Sequence, residues 1–353
     1  MERFDAIVVG AGPAGSTTAY RLARAGSNVL LLDRARFPRD KPCGGGLTIR
    51  AVRQMPVPPD PVVEHVVDRM GFRLDYRSRF ERGGREPLIL MTQRRRLDHY
   101  LVEQAAAAGA TVRDGVKVAD VTVGERAVRV AVDGAPVEAA ALVAADGANG
   151  TTRRALDLGG EYVLGVALEG NAARGVVGDR YDGLAEFELG TIPGGYGWIF
   201  PKGDHVNVGV GGWQYLAGTL RARLSRLCRF YGVPEERMEG LRGHQLPVRR
   251  HGAPLARGRV ALVGDAAGLV DPLSGEGIYA AIYSGGEAAR AAAELLAGER
   301  HSLSPYAARI ERELMPDLDA SRRFQDVFYL VPGLYVGLLE RSDRIWSLLA
   351  RLI

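Results

Sequence analysis

The sequence predicts an α/β protein: a domain built on a parallel sheet, a β-rich domain inserted into it, and a helical C-terminal region. Three observations predict this. A buried strand, a glycine-rich turn and an alanine-rich helix open the chain. A second strand–glycine–aspartate–helix unit follows near residue 260. Between them, long stretches change from helical to two-residue apolar periodicity. The 353 residues, 46% hydrophobic and 25% charged, fit a folded chain of about two domains and exclude global disorder.

Phe4–Gly10 is a β-branched apolar run and reads as a buried strand. Pro13–Gly26 has helical spacing and ends on glycine, a common helix stop. Asn28–Asp33 reads as the next strand, and Phe37–Thr48 as a Gly/Pro-rich loop. Thr92–Gly109 reads as a helix with a basic start, and Thr111–Ala145 alternates as a β-meander. Tyr162–Gly212 is strand-rich and Leu216–Tyr231 is an amphipathic helix. Arg259–Val263 is a buried strand and Ile278–Leu296 a helix; Ser304–Phe324 and Leu334–Ile353 read as helical. The parallel domain is therefore discontinuous, over 1–55, 92–152 and 250–298. The inserted domain, 56–91 and 153–249, is expected to carry an antiparallel sheet, and 299–353 is the helical region.

The net charge of +4 suits anionic small ligands or a lipid surface and is too small to point to nucleic acid. Cys43 and Cys228 are the only cysteines, too few for a disulfide scaffold. The six histidines show no metal-ligand spacing. Met1–Asp5 carries no signal-peptide pattern and no apolar run reaches ~20 residues, so a cytoplasmic chain is expected. Near the C-terminus, Ile345, Leu348, Leu349 and Leu352 share a helical face beside Trp346, with Arg341, Arg344 and Arg351 nearby. Packing on the inserted domain is the plainer reading; peripheral contact with a membrane is the alternative.

Gly10-Ala11-Gly12-Pro13-Ala14-Gly15 has the spacing of a dinucleotide fingerprint, between a strand and a helix. Gly10 permits the turn, Gly12 lets backbone approach a pyrophosphate, and Gly15 lets helix and strand pack closely. Free N–H groups at the helix start attract phosphate. Asp33, 18 residues after Gly15, can accept from ribose hydroxyls. The distal run Gly264-Asp265-Ala266-Ala267-Gly268, then Asp271 to Ile278, puts a second carboxylate at a strand's C-terminal end and a second glycine-rich loop before a helix.

Together with Asp146-Gly147 after the strand Ala141–Ala145, these motifs resemble the FAD-binding fold of the aromatic hydroxylase superfamily, a Rossmann-like fold. The resemblance covers most of the chain. It implies a cofactor-binding set of Gly10, Gly12, Ala14, Gly15, Asp33, Arg34, Cys43, Gly44, Gly46, Arg94, Val118, Asp146, Gly264, Asp265, Gly275, Gly277 and Ile278. Within that set Asp265 would meet the ribityl chain, and Gly275, Gly277 and Ile278 the flavin through backbone. Arg94 with Leu97-Asp98 is similar to the superfamily's Arg-x-x-Phe-Asp helix, and Val118 would meet the adenine. Where the superfamily's Asp-Gly motif often continues to Ser, Gly150 stands before Thr151.

Two further segments suggest a reaction. In Lys41-Pro42-Cys43-Gly44-Gly45-Gly46-Leu47, three glycines let another group lie against bare backbone, with a thiol at its edge able to donate a proton. In Pro193-Gly194-Gly195-Tyr196-Gly197-Trp198-Ile199-Phe200-Pro201, strand alternation puts Tyr196, Trp198 and Phe200 on one face. Such an aromatic wall suits a long apolar substrate and can ease transient positive charge. Both segments, in this order, are similar to motifs of the geranylgeranyl reductase family. That resemblance implies saturation of C=C bonds in an isoprenoid chain or prenyl lipid by reduced FAD. Cys43, Tyr196 and Trp198 would be catalytic, and Tyr196, Trp198 and Phe200 would bind substrate. With one dinucleotide fingerprint present, electrons would come from NAD(P)H docking transiently or from a ferredoxin-like protein. The alternatives are an FAD monooxygenase or halogenase, or an electron-transfer or lipid-binding flavoprotein without turnover. The halogenase aromatic motif has Trp first and Ile before Pro, where Tyr196 and Phe200 stand.

Overall fold

The computed structural model describes residues 1–84 and 86–352, without the side chains of Arg351 and Leu352. Among the described residues, eight strands form the large sheet. Its parallel part runs, in space, Val260–Leu262, Ala135–Ala144, Glu2–Val9, Val29–Leu32 and Thr111–Arg113. Val29–Leu32, Val260–Leu262 and the Ala6–Val9 half of the first strand are wholly apolar because helices cover both faces. Register matters most: Val9 pairs with Ala144 and Leu32, and Ala144 with Leu262. The strands therefore end in line, and Gly10, Asp33, Asp146 and Asp265 leave the sheet along one edge, where such folds bind ligands. The expected meander divides: Thr111–Arg113 joins the parallel sheet, while Val118–Val123 and Val128–Val132 pair antiparallel beside Ala135–Ala144.

Helices Pro13–Arg24 and Ile278–Leu296 cross at Gly285, where a Cβ would lie 2.3 Å from the Ala14 carbonyl oxygen. The bare contact holds the distal motif against the fingerprint. Thr18 ties the crossing by donating to the Gly285 carbonyl at 3.0 Å.

The second sheet runs Met238–Arg249, Tyr162–Ala173, His205–Trp213, Gly195–Pro201, Leu184–Ile192, Arg69–Leu74, Ser78–Gly83. The expectation of an antiparallel sheet needs one correction: Arg69–Leu74 pairs parallel to Leu184–Ile192. These strands come from different insertions, so no hairpin constrains their direction. One face packs on helix Leu220–Tyr231, with Ile199, Val208 and Val210 against Leu224 and Leu227. The other face carries the aromatic side chains. A small antiparallel sheet of Gly46–Thr48, Ile89–Met91 and His65–Val67 joins the two large ones. The end of the glycine loop, expected to be irregular, is thus a strand.

The C-terminal region is also more broken than expected. Ser304–Phe324 is two helices, Ser304–Glu313 and Met315–Phe328, parting where Pro316 lacks the N–H to continue the first. The next pair, Pro332–Arg341 and Asp343–Leu352, parts at Ser342; Ile353, the expected end, lies outside the described residues. Trp346 packs edge-on to Phe72 and donates to the Gly83 carbonyl at 3.1 Å, so the last helix rests on the second sheet. Ile345 and Leu348 stay exposed. Among the described residues no helix is long and apolar enough to cross a membrane.

Candidate functional site

At the fingerprint, Gly10 has φ +100°, and a Cβ there would meet the Ala145 carbonyl oxygen at 2.3 Å. Gly15 abuts the Gly10 carbonyl, with room for no side chain: a Cβ would lie 1.8 Å from its oxygen. Gly12 precedes a helix whose start has no side-chain cap. The guanidinium groups of Arg39 and Arg94 face Gly12, each 3.6–3.7 Å from where its Cβ would be. Uncapped N–H groups beside two cations fit a pyrophosphate. Asp33 accepts the Ala11 N–H at 2.8 Å and the Ala35 N–H at 2.9 Å, fixing its carboxylate at the end of its strand. Arg34 is exposed. The partner sequence reasoning missed is Arg39, which lies 3.0 Å from Asp98 and 3.7 Å from Asp33.

Arg94 is buried and bidentate to Asp98, both bonds 2.7 Å. Burial would lower the guanidinium pKa, but Asp98 outweighs it and holds the charge firmly. Asp146 accepts the Thr152 N–H at 2.9 Å, and its other oxygen is buried without a partner. Gly150 is small for this reason: a Cβ there would lie 2.2 Å from the Asp146 carboxyl carbon. Val118 opens its strand opposite Val132, two residues after Val116 bonds to the Asp33 carbonyl.

The loop before Cys43 reaches the distal motif. Lys41 lies 2.9 Å from Asp265, and His244 is 3.9 Å away. Burial would raise the Asp265 carboxyl, but Lys41 and His244 hold it well below the ordinary range. Gly264 (φ +56°) and Gly275 (φ +69°) take left-handed turns, and Gly277 abuts Asp265. Ile278 opens the following helix. Glu276 folds back on it and accepts the Tyr279 N–H at 2.7 Å; burial pushes this carboxyl up to about 7.

The Cys–Gly loop and the aromatic strand meet. A Cβ on Gly44 would lie 2.9 Å from the Phe200 ring and 3.8 Å from Trp198 Nε1. Gly46 begins the strand that pairs with Met91. Tyr196, Trp198 and Phe200 share the expected face, with ring centroids 5.8 and 6.1 Å apart. The wall extends across strands through Phe187 to Phe72 and Phe80. Trp198 Nε1 donates to Asn207 at 2.8 Å, which donates to Asn171 at 2.9 Å. The Tyr196 hydroxyl donates to the Ser274 carbonyl, linking the wall to the distal loop. Helix Met315–Phe328 closes this end: Gln325 donates to the Gly194 and Pro272 carbonyls at 3.1 and 2.8 Å.

Two buried charged residues behind the loop carry no motif. Glu169 accepts the Cys43 N–H at 2.5 Å, and burial pushes its carboxyl up to about 7. Lys202 donates to the Gly44 carbonyl and, at 2.7 Å, to the Thr92 carbonyl; burial pushes its ammonium down to about 8. A signal for Lys202 was available. The chain has 46 basic residues but only three lysines, Lys41, Lys117 and Lys202, and two of the three stand in this site.

A family model for an FAD binding domain matches residues 3–167. The chain is 37% identical over 317 residues to the menaquinone reductase of Mycolicibacterium smegmatis, covering 83% of this chain and 76% of that protein. It is 33% identical over 352 residues to digeranylgeranylglycerophospholipid reductase 1 of Methanopyrus kandleri, covering 92% and 90%. A geranylgeranyl bacteriochlorophyll reductase-like protein from Thermoplasma acidophilum has the same fold, with TM-score 0.82 over 100% of both chains at 23% identity. Motif order, a pyrophosphate-ready turn and full-length relatives agree: the chain belongs to the geranylgeranyl reductase family of FAD-dependent oxidoreductases.

Proposed function

We propose that this protein saturates C=C bonds in the isoprenoid chain of a prenyl lipid. One observation carries the reading: Gly44 lies against Phe200 and Trp198, so the glycine loop and the aromatic wall, some 150 residues apart, meet at one place. Bound FAD, once reduced, supplies hydride to one alkene carbon. Gly10, Gly12, Ala14, Gly15 and Asp33 would hold its nucleotide end, with Arg39 and Arg94 beside the pyrophosphate. Asp265 with Lys41, and the Gly275–Ile278 turn, would hold the middle and ring end.

The chain's own residues do the rest. Tyr196, Trp198 and Phe200 line the olefin's site beside the Gly44 peptide and exclude water. Their ring faces stabilise positive charge developing on the second alkene carbon. The Cys43 thiol, half-buried in the glycine loop, would deliver the proton that carbon needs. The two relatives act, by their names, on a quinone and on a glycerophospholipid. Both names support a prenyl lipid here.

A membrane-held substrate also accounts for the exposed apolar face on the C-terminal helices. Phe324, Val327, Leu330, Val331, Leu334 and Leu338 all project from it. The helix that carries Phe324 and Val327 clamps the end of the aromatic strand.

The test is anaerobic incubation of the reduced holoenzyme with geranylgeraniol, its diphosphate, a geranylgeranyl ether lipid and a menaquinone. Reduction is by dithionite, with NADPH and a reduced ferredoxin as further arms. The expected products are heavier by two hydrogens per bond reduced. No saturation of any of the four overturns the reading.

A further inference from the structure

The Cys43–Gly45 segment is held from beneath by two buried ionisable side chains of the second sheet. Lys202 directly follows the aromatic strand and is 2% exposed. Its ammonium passes under the loop, bonded to the Gly44 and Thr92 carbonyls. Gly45 takes a left-handed turn (φ +70°), and a Cβ there would lie 2.0 Å from both the Thr92 carbonyl oxygen and Lys202 Nζ. Its own carbonyl accepts the Thr92 N–H at 2.9 Å. From the neighbouring part of the sheet, Glu169 takes the Cys43 N–H. Three consecutive residues are thus anchored from below, while Gly44 faces Phe200 and Trp198 above.

An ammonium buried on carbonyl oxygens is costly, and Cys43, Glu169 and Glu64 act on it only through space. Arginine, which supplies 43 of the 46 basic residues, spreads its charge over a planar fork, whereas two carbonyls converging on one atom suit a point charge. Packing alone does not explain a charge at this position.

We propose that Lys202 is a positioning residue: by bridging the Gly44 and Thr92 carbonyls it fixes the loop that presents the Cys43 thiol and the bare Gly44 peptide to cofactor and olefin, with Glu169 as the second anchor. The proposal rests on the prenyl-reductase reading for its effect on turnover, but its structural half does not.

The experiment compares wild type with Lys202→Met, which keeps the methylene volume, and Lys202→Ala. Amide hydrogen exchange of the peptide spanning residues 43–46 is read on the full-length protein with and without FAD. Both variants should exchange there at least tenfold faster while still purifying with FAD, because the Gly10–Gly15 turn and Asp33 are untouched. Turnover should fall about 100-fold in kcat with KM nearly constant. Ethylammonium should restore Lys202→Ala at least tenfold by refilling the charge site, which a lysine serving only stability would not show. Unchanged exchange of residues 43–46 in both variants overturns the proposal. So does unchanged kcat in an active protein. If wild type reduces no olefin, the functional reading fails, while the exchange result still decides the loop's anchor.

Discussion

Gly209→Ala tests whether the aromatic wall is built as described. Gly209 sits on the strand beside the wall, directly opposite Trp198. A methyl there would lie 2.1 Å from Trp198 Cζ2, 2.5 Å from Cε2 and 2.7 Å from Cη2. No rotamer change of a Cβ relieves this, so the indole must lift by more than 1 Å, roughly the deficit against van der Waals contact. Overpacking costs about 1–3 kcal/mol. The Nε1–H bond to Asn207 goes with it, adding about 1 kcal/mol. The total is about 2–4 kcal/mol. With ~2.1 cal/mol/K of unfolding entropy per residue, the chain shifts by ~1.4 °C per kcal/mol, so Tm should fall by roughly 3–5 °C. The lifted ring shifts the aromatic wall beside Gly44, and kcat/KM for a prenyl substrate should fall about tenfold or more. Calorimetry, indole fluorescence and initial rates read the three effects. Gly243→Ala, on the same sheet with only ordinary contact 3.6 Å from the Ala167 carbonyl oxygen, is the control. A Gly209→Ala protein matching this control in Tm, fluorescence and rate would refute the placement of Trp198.

Gly15→Ala forces a Cβ into the Gly10 carbonyl, which is backbone and cannot yield; the purified protein should lack the flavin absorbance near 450 nm, and a yellow variant contradicts the fit. Cys43→Ala should keep FAD and slow olefin reduction about tenfold or more, measured under single turnover; equal rates remove the thiol from the reaction. Burial pushes the Glu169 carboxyl up from an ordinary 4.5 to about 7, so its contribution is full below pH 4.5 and lost as pH rises through 7. Glu169→Gln should therefore gain stability on wild type across that rise, by about 3 kcal/mol; urea unfolding from pH 5 to 8 reads it, and a constant difference refutes it. Leu330 and Leu334 are 78% and 59% exposed; replacing both with Glu should abolish flotation with phospholipid vesicles while FAD content stays constant, and undiminished flotation dissociates this face from the membrane.

Local physics made much of this protein legible from its residues. The fingerprint could be read because tight turn, bare backbone and helix start lie within six consecutive residues, Gly10–Gly15. Strand alternation alone put Tyr196, Trp198 and Phe200 on one face. The register that aligns Gly10, Asp33, Asp146 and Asp265 on one edge came from packing, as did the contact of Gly44 with Phe200. The C-terminal helices were read as too continuous because their breaks fall at single residues that helical spacing tolerates. Lys202, Glu169 and Arg39 had no motif, and no local pattern paired Lys41 with Asp265, since each acts on a segment far along the chain. Periodicity and spacing determine which groups an element can present. Which buried charge lies beneath which loop depends on how the sheets close on one another, and only the tertiary structure decides that.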